Sequence, residues 1–480
     1  FAHARFVGLR HRYLAPQPQN ARDSAHEGEA VRSVSPAQSG YPTDLYSFRR
    51  LRPSLLEGTH RGLARGMRTR SAEALSELAA IGAVRSDRNN ERIVGQLDAL
   101  LKGGSHWTIP AGARLRAVID LSDYECVHPH LRAAGAGVIR IGFAESLYEN
   151  PDSEQSPKGH RDEVENKYFR GNFDEFVVRS APCDFTTHHW QAGRYVQVEV
   201  DAGAGPVVIE VLAFEQTRHL FHWRDRFESS DADLGRILQV CRRTLEVGTH
   251  DAYTDSPYFE QLSYVGDSRL ESLMTYVTTR DDLMPRKTIE LFAASQLPNG
   301  HIQSRYPCRV AQTIPTFSML WIGMLHDAVL WRGTGAWMRP LMRVARGVID
   351  AVIAHRNEGG LIERLPVWAF TDWAQGFDEG VAPGSHDGVN AAVNWLAVDC
   401  LGWMSDLERW IGRSDEASRF DALAADLACA IDSTLWSNAQ GLYIETPDQP
   451  HFSEHAQTWA ILSGRMPPER HAPATRTLLE

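Results

Sequence analysis

The sequence predicts a multidomain chain, a β-sandwich followed by an all-helical toroid or bundle. Three observations carry this expectation. The chain has 480 residues, too many for one hydrophobic core. Between residues 105 and 226 short β-branched runs repeat with a period of two. After residue 230 the apolar residues recur at the i, i+3, i+4, i+7 spacing of helices.

In chain order, residues 1–45 are polar and carry Pro, Ser and Gly, as in Ala15-Pro16-Gln17-Pro18-Gln19. With no sustained period they read as a tail or linker. Residues 46–104 are Arg- and Leu-rich and partly helical, with no assigned role. The β-sandwich is expected over 105–228. There Leu115, Ala117, Ile119 and Leu121 alternate with Arg116, Val118, Asp120 and Ser122. Further runs are Val138–Ile141, Tyr195–Val200 and Val207–Val211, with Gly and Pro clusters between them.

The helical region is expected over 229–480 and has room for about nine helices. Leu234, Ile237, Leu238, Cys241 and Leu245 mark one stripe, and Leu270, Leu273, Met274 and Val277 the next. Phe317, Leu320, Trp321, Met324 and Leu325 mark a third. Two more run through Leu341, Val344, Ala345, Val348, Ile349 and Val352, and through Val389, Val393, Leu396, Ala397 and Cys400. Long loops on such a scaffold are where function sits.

Composition narrows the function classes. A formal net charge of -11 argues against a nucleic-acid partner, which requires a basic face, and against anionic membranes. It suits a neutral ligand such as a sugar. Thirteen Trp and thirteen Tyr lean the same way, because aromatic faces stack on sugar C–H faces, although most will be core. The six cysteines form no CxxC pair, so neither a zinc site nor a disulfide framework is expected, and no cofactor is. Reduced, mostly buried thiols are expected instead. No run of 18 apolar residues is present, so no membrane span is expected. The start lacks a signal-like apolar segment. It opens on Phe1 instead of Met, so an incomplete N-terminus and, by default, a cytoplasmic location are expected.

The chemistry concentrates between two helical stripes. Asp255, Glu260 and Asp267 fall within thirteen residues, interleaved with Pro257, Tyr258, Phe259 and Tyr264. Cleaving a glycosidic bond needs a carboxylic acid still protonated near neutral pH. Apolar walls and like-charged neighbours raise a carboxyl pKa, and this stretch offers both to Glu260, leaving ionised aspartates for sugar hydroxyls. A structural reading stands beside it. Ser268 and Glu271 spell an S-x-x-E capping box, and Asp267 would complement a helix N-terminus. Trp368 and Trp373 likewise fit either packing or a sugar platform. Arg305 fits a surface ion pair, and Asp162-Glu163-Val164-Glu165 a solvated face.

The stretch Asp255–Asp267 resembles the catalytic loop of glycoside hydrolase family 78, the bacterial α-L-rhamnosidases. It is nearest the branch reading Asp-x-Pro-Tyr-Tyr-Glu-Gln-Leu-Gln-Tyr-x-Gly-Asp-Thr-Arg, with Phe259, Ser263 and Ser268 as the departures. The likeness runs over roughly 105–480. It takes in Gly142–Tyr148 with Lys158–Glu163, then Ser304–Pro307 with Gln312–Ser318, Trp368–Trp373, and Phe452–Thr458. The resemblance implies an (α/α)6 six-hairpin toroid behind the sandwich. It implies that Glu260 is the general acid and that Asp255 and Asp267 hold rhamnose hydroxyls and tune it. Tyr264, Asp372, Trp373, Trp368 and His455 would contact the sugar.

Inversion also needs a base across the ring. In the family this is a late Glu after a Thr-Thr-like segment, and none follows Glu454. Glu454, Glu379 and Glu363 lie outside that motif. The expectation is therefore a toroid truncated at its C-terminus, with the base beyond residue 480 and unpaired apolar helix faces exposed. The expected function is release of terminal α-L-rhamnose from rhamnosides. The alternatives are a rhamnose-binding relic without turnover, and a hydrolase of other sugar preference on the same toroid.

Overall fold

The structure is a computed structural model and describes residues 8–14, 60–76, 82–151, 157–224 and 226–479. The proline-rich part of the expected linker and residues 46–59 and 77–81 of the unassigned segment lie outside the described residues.

The β region contains β1 (Gly8–Leu14), β2 (His60–Leu63), β3 (Arg68–Leu75), α1 (Glu91–Leu101), β4 (Trp107–Ile109), β5 (Arg114–Ala144), β6 (Asn172–Val178), β7 (Cys183–Thr186) and β8 (Gln191–Arg218). The strands form one curled sheet, antiparallel except for β1 on β6. Two expectations change here. Strand pairing begins well before residue 105, because β1, β2 and β3 all join this sheet. The runs read as separate short strands are parts of two very long ones, β5 and β8.

Glycines bend these long strands without ending them. Gly135 adopts φ +126°, and a Cβ there would meet the Pro206 carbonyl oxygen at 2.0 Å. Residues 195–201 of β8 pair with Arg114–Asp120 on one side and Val138–Ala144 on the other. The sheet therefore wraps onto itself, and Leu115, Ala117, Ile119 and Leu121 pack inside it. Val118 on the opposite face is covered too, by Phe169 and Tyr195.

The helical region follows with α2 (Ala232–Val247), α3 (Val265–Thr278), α4 (Leu283–Ala294), α5 (Pro315–Arg332), α6 (Met338–Ile353), α7 (Ala391–Trp410) and α8 (Ser414–Leu435). A two-stranded ribbon, β9 (Trp436–Ser437) with β10 (Leu442–Tyr443), then precedes α9 (Glu454–Leu462) and α10 (Pro468–Leu479). Helices α3, α5, α7 and α9 pack in series, with α4, α6 and α8 outside them. The core lies between these layers, from Val265 through Trp321 and Trp395 to Ala474. Among the described residues no helix is long and apolar enough to cross a membrane.

The stripes on α6 and α7 face this core as the period predicts. Those on α2 and α3 do not. Leu234, Ile237 and Val240 of α2 are exposed, and so are Leu270 and Val277 of α3. Helix α3 instead buries Ser268, Ser272 and Thr275 against its neighbours. Small hydroxyl residues allow close helix approach and return their O–H to the backbone, as Thr275 does to the Glu271 carbonyl at 2.8 Å. Thiol burial departs as well, since Cys241 and Cys429 are exposed while Cys126, Cys183 and Cys400 are buried.

Candidate active site

The loop joining α2 to α3 carries the three acids, and its own hydrogen bonds shape it. Tyr253 is fully buried, with its hydroxyl 2.7 Å from Thr275 Oγ1, and anchors the entry. The Asp255 N–H donates to the Leu262 carbonyl at 2.9 Å, and Asp255 Oδ1 accepts from the Leu262 N–H at 3.0 Å. Inside that closure the Gln261 N–H donates to the Ser256 carbonyl at 2.9 Å, and Gln261 adopts φ +56°. Glu260 sits on this tight turn with its side chain exposed. Tyr258 points the other way, into the core of the β region.

Electrostatics divide the acids. Burial, then the hydrogen bond and charge of Glu260, push the Asp255 carboxyl up to about 8. Asp267, in the first turn of α3, is raised by burial and by Glu260. One turn on, burial and the charges of Asp267 and Asp255 raise Glu271 further. Glu271 Oε2 is buried without a hydrogen-bond partner among the described residues. The raised carboxyls thus fall on Asp255, Asp267 and Glu271, each desolvated by burial. The expectation of an ionised aspartate beside Glu260 is corrected for Asp255 accordingly. The capping box is corrected too: α3 begins at Val265 behind Tyr264, so Ser268 lies within the helix and caps nothing.

A second wall starts at Tyr264. The loop before α5 pairs with it, Val265 N–H donating to the Ser304 carbonyl at 2.9 Å. Arg305 Nη1 donates to the Tyr264 hydroxyl at 3.0 Å. Ring contacts then run from Tyr264 to Phe317 at 6.3 Å and from Phe317 to Phe370 at 5.9 Å. Phe370 touches Trp368 at 4.9 Å and Trp373 at 5.2 Å. Gly266 admits this packing, since a Cβ there would lie 2.9 Å from Phe317 Cζ. Trp373 remains 65% exposed at the end of the wall. Next to it, Asp372 Oδ2 lies 2.9 Å from His455 Nε2.

His455 is placed by the start of α9. The Ser453 Oγ accepts the Ala456 N–H at 3.0 Å and donates to the buried Glu445 carboxylate. Glu445 Oε2 also accepts the Ala392 N–H at 3.2 Å, joining the N-termini of α7 and α9. The structure thus links Tyr264, at the end of the Asp255–Glu260 loop, to Trp368 and Trp373 through Phe317 and Phe370, with Asp372 and His455 paired next to Trp373. Sequence reasoning missed Glu445, whose only signal was a carboxylate shortly before a helix start. It also missed the position of Glu271, legible in hindsight as i+4 from Asp267. Arg305, read as a surface pair, joins the wall. Of the outlying glutamates, Glu363 accepts from Asn357 Nδ2 at 2.8 Å, while Glu379 and Glu454 are exposed.

A family described as the bacterial alpha-L-rhamnosidase 6 hairpin glycosidase domain matches residues 224–480. A rhamnosidase from Klebsiella oxytoca with rhamnose bound superposes with a TM-score of 0.70 at 18% identity, over 88% of this chain and 80% of that one. The glycoside hydrolase family 78 rhamnosidase of Bacillus sp. GL1 gives 0.67 at 21% identity, over 80% of this chain. A Streptomyces avermitilis α-L-rhamnosidase complexed with L-rhamnose gives 0.53 at 14% identity, over 78% of this chain. The chain spans 39% of the Bacillus protein and 34% of the Streptomyces protein. No curated protein matches it.

Proposed function

The chain belongs to the bacterial α-L-rhamnosidase six-hairpin glycosidase family, and from that premise we propose that it releases terminal α-L-rhamnose by single displacement with inversion. Glu260 gives its proton to the departing oxygen. Asp255 and Asp267 hold sugar hydroxyls, with Tyr264 and Trp373 as the apolar platform and Trp368, Asp372 and His455 along the same rim. One observation carries the reading: Glu260 stands exposed on its turn beside half-buried Asp255, whose carboxyl, raised to about 8 by burial and by Glu260, keeps a proton at neutral pH. A proton held there lies at the edge of an aromatic wall suited to a sugar face. The family relatives crystallised with rhamnose support the choice of sugar.

Hydrolysis of an aryl α-L-rhamnoside, followed by NMR of the first-formed anomer, tests it. Glu260→Gln is expected to keep the wild-type melt and lose ~10²–10⁴-fold in kcat/KM. Undiminished turnover in that variant removes Glu260 as the acid. Rhamnose binding by the wild type without turnover would make the chain a sugar-binding protein instead.

A further inference from the structure

The β region reaches the catalytic loop at three points. The Tyr258 hydroxyl donates to the Phe143 carbonyl at 2.9 Å. The Lys158 ammonium lies 4.3 Å from the centre of the Phe259 ring and 5.8 Å from that of Tyr258. Glu145 holds that ammonium from behind at 2.5 Å. On the other flank, His189 Nε2 lies 2.9 Å from Gln261 Oε1. His189 in turn packs on Trp190, which stacks on His250 at 4.2 Å.

The Lys158 and His189 contacts fall on Phe259 and Gln261, the residues immediately before and after Glu260. Glu260 is held in its turn by its N–H, which donates to Ser256 Oγ at 3.2 Å, and that turn includes a non-glycine residue at φ +56°. Such a conformation persists where its surroundings over-determine it. Gln261 meets that condition with both ends of its amide, Nε2 donating to the Pro257 carbonyl at 2.8 Å and Oε1 meeting His189. Phe259 is 42% exposed, with its ring edge-on to Tyr258 at 4.8 Å, and the Lys158 cation adds a second hold on it.

We propose that Lys158 and His189 are positioning residues for Glu260, gripping the residues on either side of it and making the β region a working half of the active site. The inference rests on the assignment of Glu260 as the acid. A displaced acid slows departure of a poor leaving group, which needs its proton, far more than an activated one, which does not. A general loosening of the fold would slow all substrates alike.

The test uses Lys158→Met and His189→Leu in the full chain, on α-L-rhamnosides with leaving groups from dinitrophenyl to alkyl. Both variants should lose ~10–100-fold in kcat on the alkyl end. On the dinitrophenyl end they should lose about threefold or less, with KM little changed. Lys158→Arg and His189→Gln, which restore a cation and a hydrogen-bond partner, should recover most of the rate. Uniform losses across the series, or none, overturn the proposal. Hydrogen exchange at the Glu260, Gln261 and Leu262 amides gives a readout independent of turnover. It should quicken about tenfold in both variants while β5 and β8 stay protected, and unchanged exchange overturns the proposal. An inactive wild type with quickened exchange in the variants refutes the hydrolase reading and leaves the positioning role standing.

Discussion

Asp255 lies beside Glu260, and burial together with that neighbour raises the Asp255 carboxyl. This has a consequence for stability. The folded Asp255 carboxyl is raised to about 8 from an ordinary 3.8, so the folded state holds a proton that the unfolded chain releases above about pH 4. Stability contributed at this site therefore falls as pH rises from about 4 to about 8, the reverse of an ion-paired aspartate. Asp255→Asn cannot ionise, and its amide can still donate to Glu260. It should melt with the wild type near pH 4 and above it at pH 8–9, measured by circular dichroism in matched buffers. A variant less stable than wild type at pH 8–9 would contradict the raised carboxyl. The three acids were legible in the sequence because they are adjacent in it. Which of them keeps a proton was not, because the half-burial of Asp255 depends on how its loop folds back through the Leu262 N–H.

At the scale of elements, the start of α9 shows how a distant cap reaches the site. Ser453 caps α9 and shares its hydroxyl with Glu445, and His455 in the first turn meets Asp372. Ser453→Ala removes the cap and leaves a buried Glu445 oxygen with one partner fewer. It should cost about 1–2 kcal/mol and raise KM for the rhamnoside more than it lowers kcat. Ser453→Thr should retain most of both. Denaturant melts and initial rates decide this, and a variant that loses stability with KM unchanged would detach His455 from substrate binding. The caps of α7 and α9 follow from local chemistry, Asn390 accepting the Val393 N–H and Ser453 the Ala456 N–H. The length of β5 and β8 was not legible in the sequence, since a glycine that bends a strand and a glycine that ends one look alike until their cross-strand partners are known.

At the scale of the whole molecule, the order of a β region followed by helical hairpins was legible, because the apolar period itself changes from 2 to 3.6 near residue 230. The facing of α2 and α3 was not, because periodicity identifies an apolar stripe without saying what covers it. Here Ile237, Val240, Leu270 and Val277 are each more than half exposed. Substituting them with Gln or Thr removes little buried area, so the melt should shift by less than about 0.5 kcal/mol. Binding of an environment-sensitive apolar dye should fall, and solubility should rise. Sedimentation of wild type and variant at several concentrations completes the comparison. A loss above about 2 kcal/mol on substitution is the signature of a packed side chain, and would show that this face is covered in solution.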